Sequence, residues 1–151
     1  MPMERSAKSV WKGTFKQGRG AVSAGSGAFQ DLAVTYRTRF ENNGGSNPEE
    51  LIAAAHAACF SMALSAQLGE EGLEPAVIET TATVTFVKTD TGYAVTSSHL
   101  DTEAEVENAT EQQFMQAAEN AKNGCPVSKL LAPGLESLTM NARLRTASGK
   151  M

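Results

Sequence analysis

The sequence turns on Asn47-Pro48-Glu49-Glu50-Leu51-Ile52-Ala53-Ala54-Ala55-His56-Ala57-Ala58-Cys59-Phe60-Ser61-Met62-Ala63-Leu64. Asn47 is a capping residue and Pro48 suits the first helical position. Glu49 and Glu50 stand in the first turn, where the helix dipole favours negative charge. No polar face follows until Gln67. A helix apolar on all sides is normally buried. Its length approaches the roughly 20 residues of a membrane span, but two glutamates, a histidine and many small alanines argue against that reading. The stretch reads as the long central buried helix of a soluble core, with alanines that let other elements come close. It is expected to end near Gly69 or Gly72, both suited to a C-cap.

Upstream, residues 9–15 alternate weakly and read as a strand. Gly18-Arg19-Gly20 is the turn, and residues 21–24 form the return strand. Residues 32–40 alternate most clearly: Leu32, Val34, Tyr36, Thr38 and Phe40 share one face, and Ala33, Thr35, Arg37 and Arg39 the other. This predicts a three-stranded antiparallel meander, joined to the central helix by a flexible loop over 41–46. Downstream, Glu74-Pro75 bends the chain into a β-branched strand over 77–88. Asp90-Thr91-Gly92 makes a hairpin turn, and the partner strand covers 93–106. Thr110 and Gln113 have capping-box spacing ahead of a helix whose buried stripe is Phe114, Ala117, Ala118 and Ala121. That helix ends at Asn123-Gly124. A short helix follows over 125–131 with Pro126 at its first position, then a last strand over 138–144. The order βββ-α-ββ-αα-β belongs to the α+β class. No repeat or linker divides the chain, so it reads as one domain over 1–151, with a core over about 9–144 and a fraying tail over 145–151.

At 151 residues the chain buries a real core without staples. Its net charge of −4 and scattered basic residues offer nothing to nucleic acid. The first residues, Met-Pro-Met-Glu-Arg-Ser, lack the apolar run of a signal peptide, which points to a cytoplasmic protein with no membrane partner. A permanent disulfide is unexpected in that compartment. The two cysteines, Cys59 and Cys125, are therefore either inert core residues or a redox pair.

Cys125 falls just before a helix that starts with proline, at the N-cap, where unpaired amides favour a negative sulfur. Cys59 has no such help in the middle of an alanine-rich helix, and burial alone raises a thiol's pKa. A reactive Cys59 needs a cation from outside its helix, and Arg37 and Arg39 are the candidates. His56, one turn before Cys59 on the same face, raises the possibility of a Cys-His hydrolase or a metal site. Two ligands at that spacing do not hold zinc, and Cys125 and His99 complete no metal-binding pattern, so no metal is expected. A third class is a non-enzymatic module that binds a small hydrophobic ligand beside the apolar helix.

Three ordered segments carry a family resemblance: Asn47-Pro48-Glu49-Glu50-Leu51, Ala57-Ala58-Cys59-Phe60-Ser61-Met62-Ala63-Leu64, and Ala121-Lys122-Asn123-Gly124-Cys125-Pro126-Val127-Ser128. Together they resemble the signature of the OsmC/Ohr family of thiol peroxidases. Trp11-Lys12-Gly13 and Thr38-Arg39-Phe40-Glu41 resemble its OsmC branch in particular. The resemblance covers about residues 10–144. It implies an OsmC-like fold in an intertwined homodimer, with no metal, haem or flavin cofactor. It also implies an antioxidant stress-response enzyme that reduces organic hydroperoxides, and hydrogen peroxide less well. On it, Cys59 is the peroxidatic cysteine, Cys125 the resolving cysteine that forms a disulfide with it, Arg39 the activating arginine and Glu49 its glutamate. A lipoyl-type or other dithiol would recycle the enzyme. Arg19 lies near where the Ohr branch carries its arginine. Phe60 and Met62 would give the alkyl substituent an apolar wall.

Helix geometry sets one condition. Glu49 and Cys59 are about 15 Å apart along an unbroken helix and nearly 80° apart around it. Glu49 can serve a thiol only if the helix breaks near its start or if it comes from a second chain.

Overall fold

The computed structural model describes residues 1–41 and 44–145. The chain forms two compact units, Met1–Leu51 and Ile52–Met151.

In the first unit, strands β1 (Ala7–Lys12), β2 (Arg19–Ala24) and β3 (Leu32–Val34) make an antiparallel sheet in that order. The meander is as the alternation predicts, with three corrections. β1 ends at Lys12 and does not reach residue 15. Arg19 is the first residue of β2, opposite Lys12, and not part of the turn. The third strand stops at Val34, and helix α1 (Tyr36–Phe40) replaces its expected second half. Thr35 and Thr38 divert the chain. The Thr38 amide donates to Thr35 Oγ1 at 3.1 Å, and the Thr35 amide to Thr38 Oγ1 at 2.8 Å. This reciprocal capping box fixes a helical turn where β-propensity alone would continue the strand. Tyr36 and Phe40 then sit one turn apart and pack together, with Phe15 edge-on to both.

The expected loop over 41–46 is only partly described, since Asn42 and Asn43 lie outside the described residues. At Gly45 φ is +83°, and an added Cβ would lie 2.5 Å from the Ala33 carbonyl oxygen, so glycine is required there. Ser46 then bridges to Val34.

Helix α2 spans Pro48–Glu70. Asn47 caps it by accepting the Glu50 amide at 2.7 Å. It closes as predicted at Gly72, where φ is +75°. The Leu73 amide donates to the Leu68 carbonyl and the Gly72 amide to that of Gly69, a Schellman ending sealed by the buried Leu68 and Leu73.

The second unit holds α2 from Ile52 onward and the sheet β4 (Pro75–Thr89), β5 (Gly92–Val106) and β6 (Ser137–Arg145). Strands β4 and β5 form the expected hairpin, with Thr89 opposite Gly92 across a two-residue loop. β6 runs parallel to β5. Between them come α3 (Glu111–Gly124), α4 (Pro126–Leu131) and the short 3-10 helix Ala132–Gly134. Thr110 and Gln113 make the predicted capping box, and the predicted stripe of α3 is buried throughout. The core joins that stripe to Phe60, Leu64 and Leu68 of α2 and to Leu100, Ala104 and Val106 of β5. The tail from Thr146 lies outside the described residues.

One expectation about α2 is overturned. His56, Phe60, Leu64 and Leu68, each four residues on, turn into the core, whereas Ala54, Ala55, Ala58, Met62 and Ala66 face outward. Met62 is 74% exposed. The helix is apolar on both sides but buried on one. By length and composition it could cross a membrane, yet its inward side is an integral part of the second unit's core.

Candidate active site

The second unit brings Cys59 and Cys125 together. Cys59 lies half-buried on α2, Cys125 fully buried between α3 and α4, and both are free thiols. Their positions follow from local structure. Cys59 is on the turn between the core residues His56 and Phe60. Cys125 occupies the N-cap of α4, with Pro126 at the first helical position, as the sequence predicts.

Burial pushes the Cys59 thiol above its ordinary pKa. A hydrogen bond with the Cys125 side chain and the charge of Cys125 push the same way, while a hydrogen bond from the Val127 backbone opposes them. This corrects the view that Cys59 receives no help. The helix start that was expected to serve Cys125 turns a second-position amide on Cys59, and Cys125 makes no side-chain cap. The amides at a helix N-terminus favour a negative sulfur nearby. On balance the pKa of Cys59 is raised, with burial the largest cause.

His56 does not face Cys59 as a general base would. Its Nδ1 lies 2.7 Å from Ser98 Oγ and its Nε2 2.8 Å from Ser128 Oγ, with all three residues buried. Burial lowers its pKa and keeps the ring neutral. Both nitrogens are engaged, and the Cys-His hydrolase loses its base. His99 bonds Thr139 at 2.6 Å on the exposed face of the sheet. Among the described residues, no cluster of histidine, cysteine or carboxylate side chains could hold a metal ion.

Arg39 and Glu49 meet in the first unit. Arg39 Nε donates to Glu49 Oε1 at 3.2 Å and Nη2 to Oε2 at 2.7 Å, a two-pronged ion pair within one chain. The Glu49 side chain is 10% exposed and that of Arg39 30%. The guanidinium carbon also lies 5.6 Å from the centre of the Phe40 ring. Arg37 takes a different course and pairs with Glu41 on the surface. Arg19 lines a separate groove with Lys8, Lys12 and Asp31. Arg39 borders an apolar cleft of about 240 Å³ walled by Trp11, Phe15, Val34, Tyr36, Phe40 and Pro48. The wall expected from Phe60 does not form, because Phe60 is wholly in the core.

Sequence reasoning missed Ser98, Ser128 and the Val127 amide. Only the inward parity of Ser98 on β5 hinted at the first. Nothing in a side-chain pattern announces a backbone donor.

Comparison with known proteins places this geometry in a family. Residues 41–137 match the family model described as OsmC-like protein. The chain is 46% identical over 131 residues to the Peroxiredoxin OsmC of Escherichia coli, covering 87% of this chain and 92% of that protein. It is 32% identical over 102 residues to Organic hydroperoxide resistance protein-like 2 of Staphylococcus epidermidis, covering 66% and 70% respectively. Among solved structures, an OsmC-like protein from Mycoplasma pneumoniae superposes with a TM-score of 0.74 at 14% identity, over 95% of this chain and 99% of that one. OhrB of Bacillus subtilis gives 0.64 at 22% identity, over 93% and 98%. The α+β fold, the paired thiols and this sequence identity agree: the chain belongs to the OsmC family.

Proposed function

We propose that the protein is a cysteine-based peroxidase that reduces organic hydroperoxides to alcohols, and hydrogen peroxide less readily. The observation that carries this reading is the juxtaposition of Cys59 and Cys125, two thiols 66 residues apart in a chain that has no others. The Cys59 thiolate attacks the outer peroxide oxygen. The O–O bond breaks, the alkoxide leaves and takes a proton as the alcohol, and Cys59 becomes a sulfenic acid. The Cys125 thiol then attacks that sulfur and releases water, forming a disulfide and forestalling further oxidation. A lipoyl-type or other dithiol restores both thiols by two exchange steps, becoming a disulfide itself.

Arg39 supplies the missing cation, and Glu49 holds it in place. A rigid fork of donors suits both a thiolate and a peroxide oxygen. The aromatic cleft beside Arg39 would take an alkyl or aryl substituent.

The enzyme works as a homodimer in a reducing cytoplasm. The outward alanine and methionine side of α2 supports a second copy as its cover, since small side chains let two helices approach closely. The site is shared between two chains, with Arg39 and Glu49 of one serving Cys59 of the other. Activity recovered by refolding Cys59→Ser with Glu49→Ala protein together would support the shared site, and an active monomer would defeat it.

The direct assay is a panel of alkyl, aryl and hydrogen peroxides with a dithiol reductant. Faster turnover of the organic hydroperoxides is expected. No consumption, or a preference for hydrogen peroxide, would contradict the assignment.

A further inference from the structure

We infer that His56 is a positioning residue that, through Ser128, aims the start of α4 at Cys59. The inference rests on Cys59 being the reacting thiol. The argument begins with the weakness of α4. A helix of six residues has no stability of its own and must be held by packing. Yet Leu130 is 76% exposed, and Ser128 is the one residue of this helix that is buried. Val127 and Leu131 are only half-buried, so the fully buried anchor within this helix is polar: Ser128 Oγ to His56 Nε2 at 2.8 Å. The other side of the ring is tied to Ser98 Oγ on β5 at 2.7 Å, so the imidazole cannot swing away. One buried ring thereby joins α2, β5 and α4.

What α4 carries makes this junction matter. Ser128 directly follows Val127, whose backbone adjoins Cys59, and lies three residues after Cys125, whose side chain is the neighbour of Cys59. His56 itself is one turn before Cys59 on α2. The ring and its serine therefore fix the spacing between the two backbone segments that present the thiols. Hydrogen bonds lose strength steeply with misalignment, so a small drift of α4 would cost Cys59 its amide and slow the approach of Cys125. A buried imidazole is costly unless both nitrogens are satisfied, and here both are.

The test uses the full chain and four variants: Ser128→Ala, Ser128→Thr, His56→Gln and Ser98→Ala. Alkylation of Cys59 by iodoacetamide is followed across pH, with the modified residue located by peptide mass. In Ser128→Ala and His56→Gln the midpoint is expected to move to higher pH. The rate at pH 7 should drop about tenfold, which is what one hydrogen bond to a charged group is worth. Ser128→Thr keeps the hydroxyl and should restore the wild-type profile. Ser98→Ala retains the bond to Ser128 and should fall between. Disulfide formation after one equivalent of an alkyl hydroperoxide should slow in the same order. A purely structural role would lower the melting temperature and leave the alkylation midpoint where it is. Wild-type midpoints and wild-type disulfide rates in both Ser128→Ala and His56→Gln would overturn the inference. Alkylation needs no peroxide, so this outcome is separate from a failure of wild-type protein to consume hydroperoxides, which would instead refute the peroxidase.

Discussion

Removing the Glu49 carboxylate probes the Arg39–Glu49 pair. Glu49 receives both prongs of the Arg39 fork, at 3.2 and 2.7 Å. Hydrogen bonds to charged groups contribute about 1.5–3 kcal/mol when buried. The longer prong and the 30% exposure of Arg39 weaken this, because water can reach the guanidinium. The same access spares Glu49→Ala the roughly 3–5 kcal/mol penalty of stranding a fully buried charge. A loss of about 2 kcal/mol follows, or a melting temperature lower by about 4–8 °C if the chain unfolds in one transition. Glu49→Gln keeps an acceptor oxygen and should lose about half as much. Thermal and urea unfolding followed by circular dichroism measure this at low and high salt. The salt dependence should be small, since Glu49 is nearly covered. Peroxidase activity should fall in both variants, more steeply in Glu49→Ala, through release of Arg39. Glu49→Ala protein as stable and as active as wild type would refute a supporting role for the pair.

The Cys125 thiol and its charge push the pKa of Cys59 upward. Cys125→Ala should therefore lower the alkylation midpoint of Cys59, measured by iodoacetamide labelling across pH, even as it abolishes the disulfide. His56 has a lowered pKa in the fold, so the unfolded chain takes up its proton first as pH drops below about 6.5. Unfolding free energy should accordingly decline as pH falls through that window, and His56→Gln should flatten that part of a urea-titration series. Phe114, fully buried between α3 and the core, should lose about 3–5 kcal/mol on substitution by alanine, read as a lower urea midpoint. At the N-cap of α3, Thr110→Ala should cost about 1 kcal/mol by the same measurement.

The elements that were legible in the sequence announce themselves locally. Asn47-Pro48-Glu49-Glu50 starts α2 with its own cap, Gly72 ends it, and Thr110 with Gln113 starts α3. Each signal lies within a few residues of its effect. Alternation over β4 placed Ile78, Thr80, Ala82, Val84 and Phe86 on one side, and that side is the more buried of the two. The third strand failed because alternation and a capping box competed over Thr35 to Thr38. Two reciprocal hydrogen bonds outweighed a β-pattern that had no long partner strand to reward it. The outward side of α2 was illegible for a different reason: alanine fits equally well against a core or a neighbouring molecule. The closeness of the two cysteines to each other, and of Arg39 to Glu49, follows pairs already singled out by motif position. The Val127 amide and the serines around His56 were not singled out, because their roles arise from elements far apart in the chain.

The central claim is that Cys59 is oxidised by a hydroperoxide and resolved by Cys125. The most direct measurement is intact-protein and peptide mass after one equivalent of an alkyl hydroperoxide. Wild-type protein should lose two hydrogens and yield a single peptide pair joined through Cys59 and Cys125. Cys125→Ser protein should instead gain one oxygen on Cys59, trappable by a sulfenic-acid reagent. Unchanged thiols in the wild type, or oxidation that persists in Cys59→Ser protein, would contradict the account.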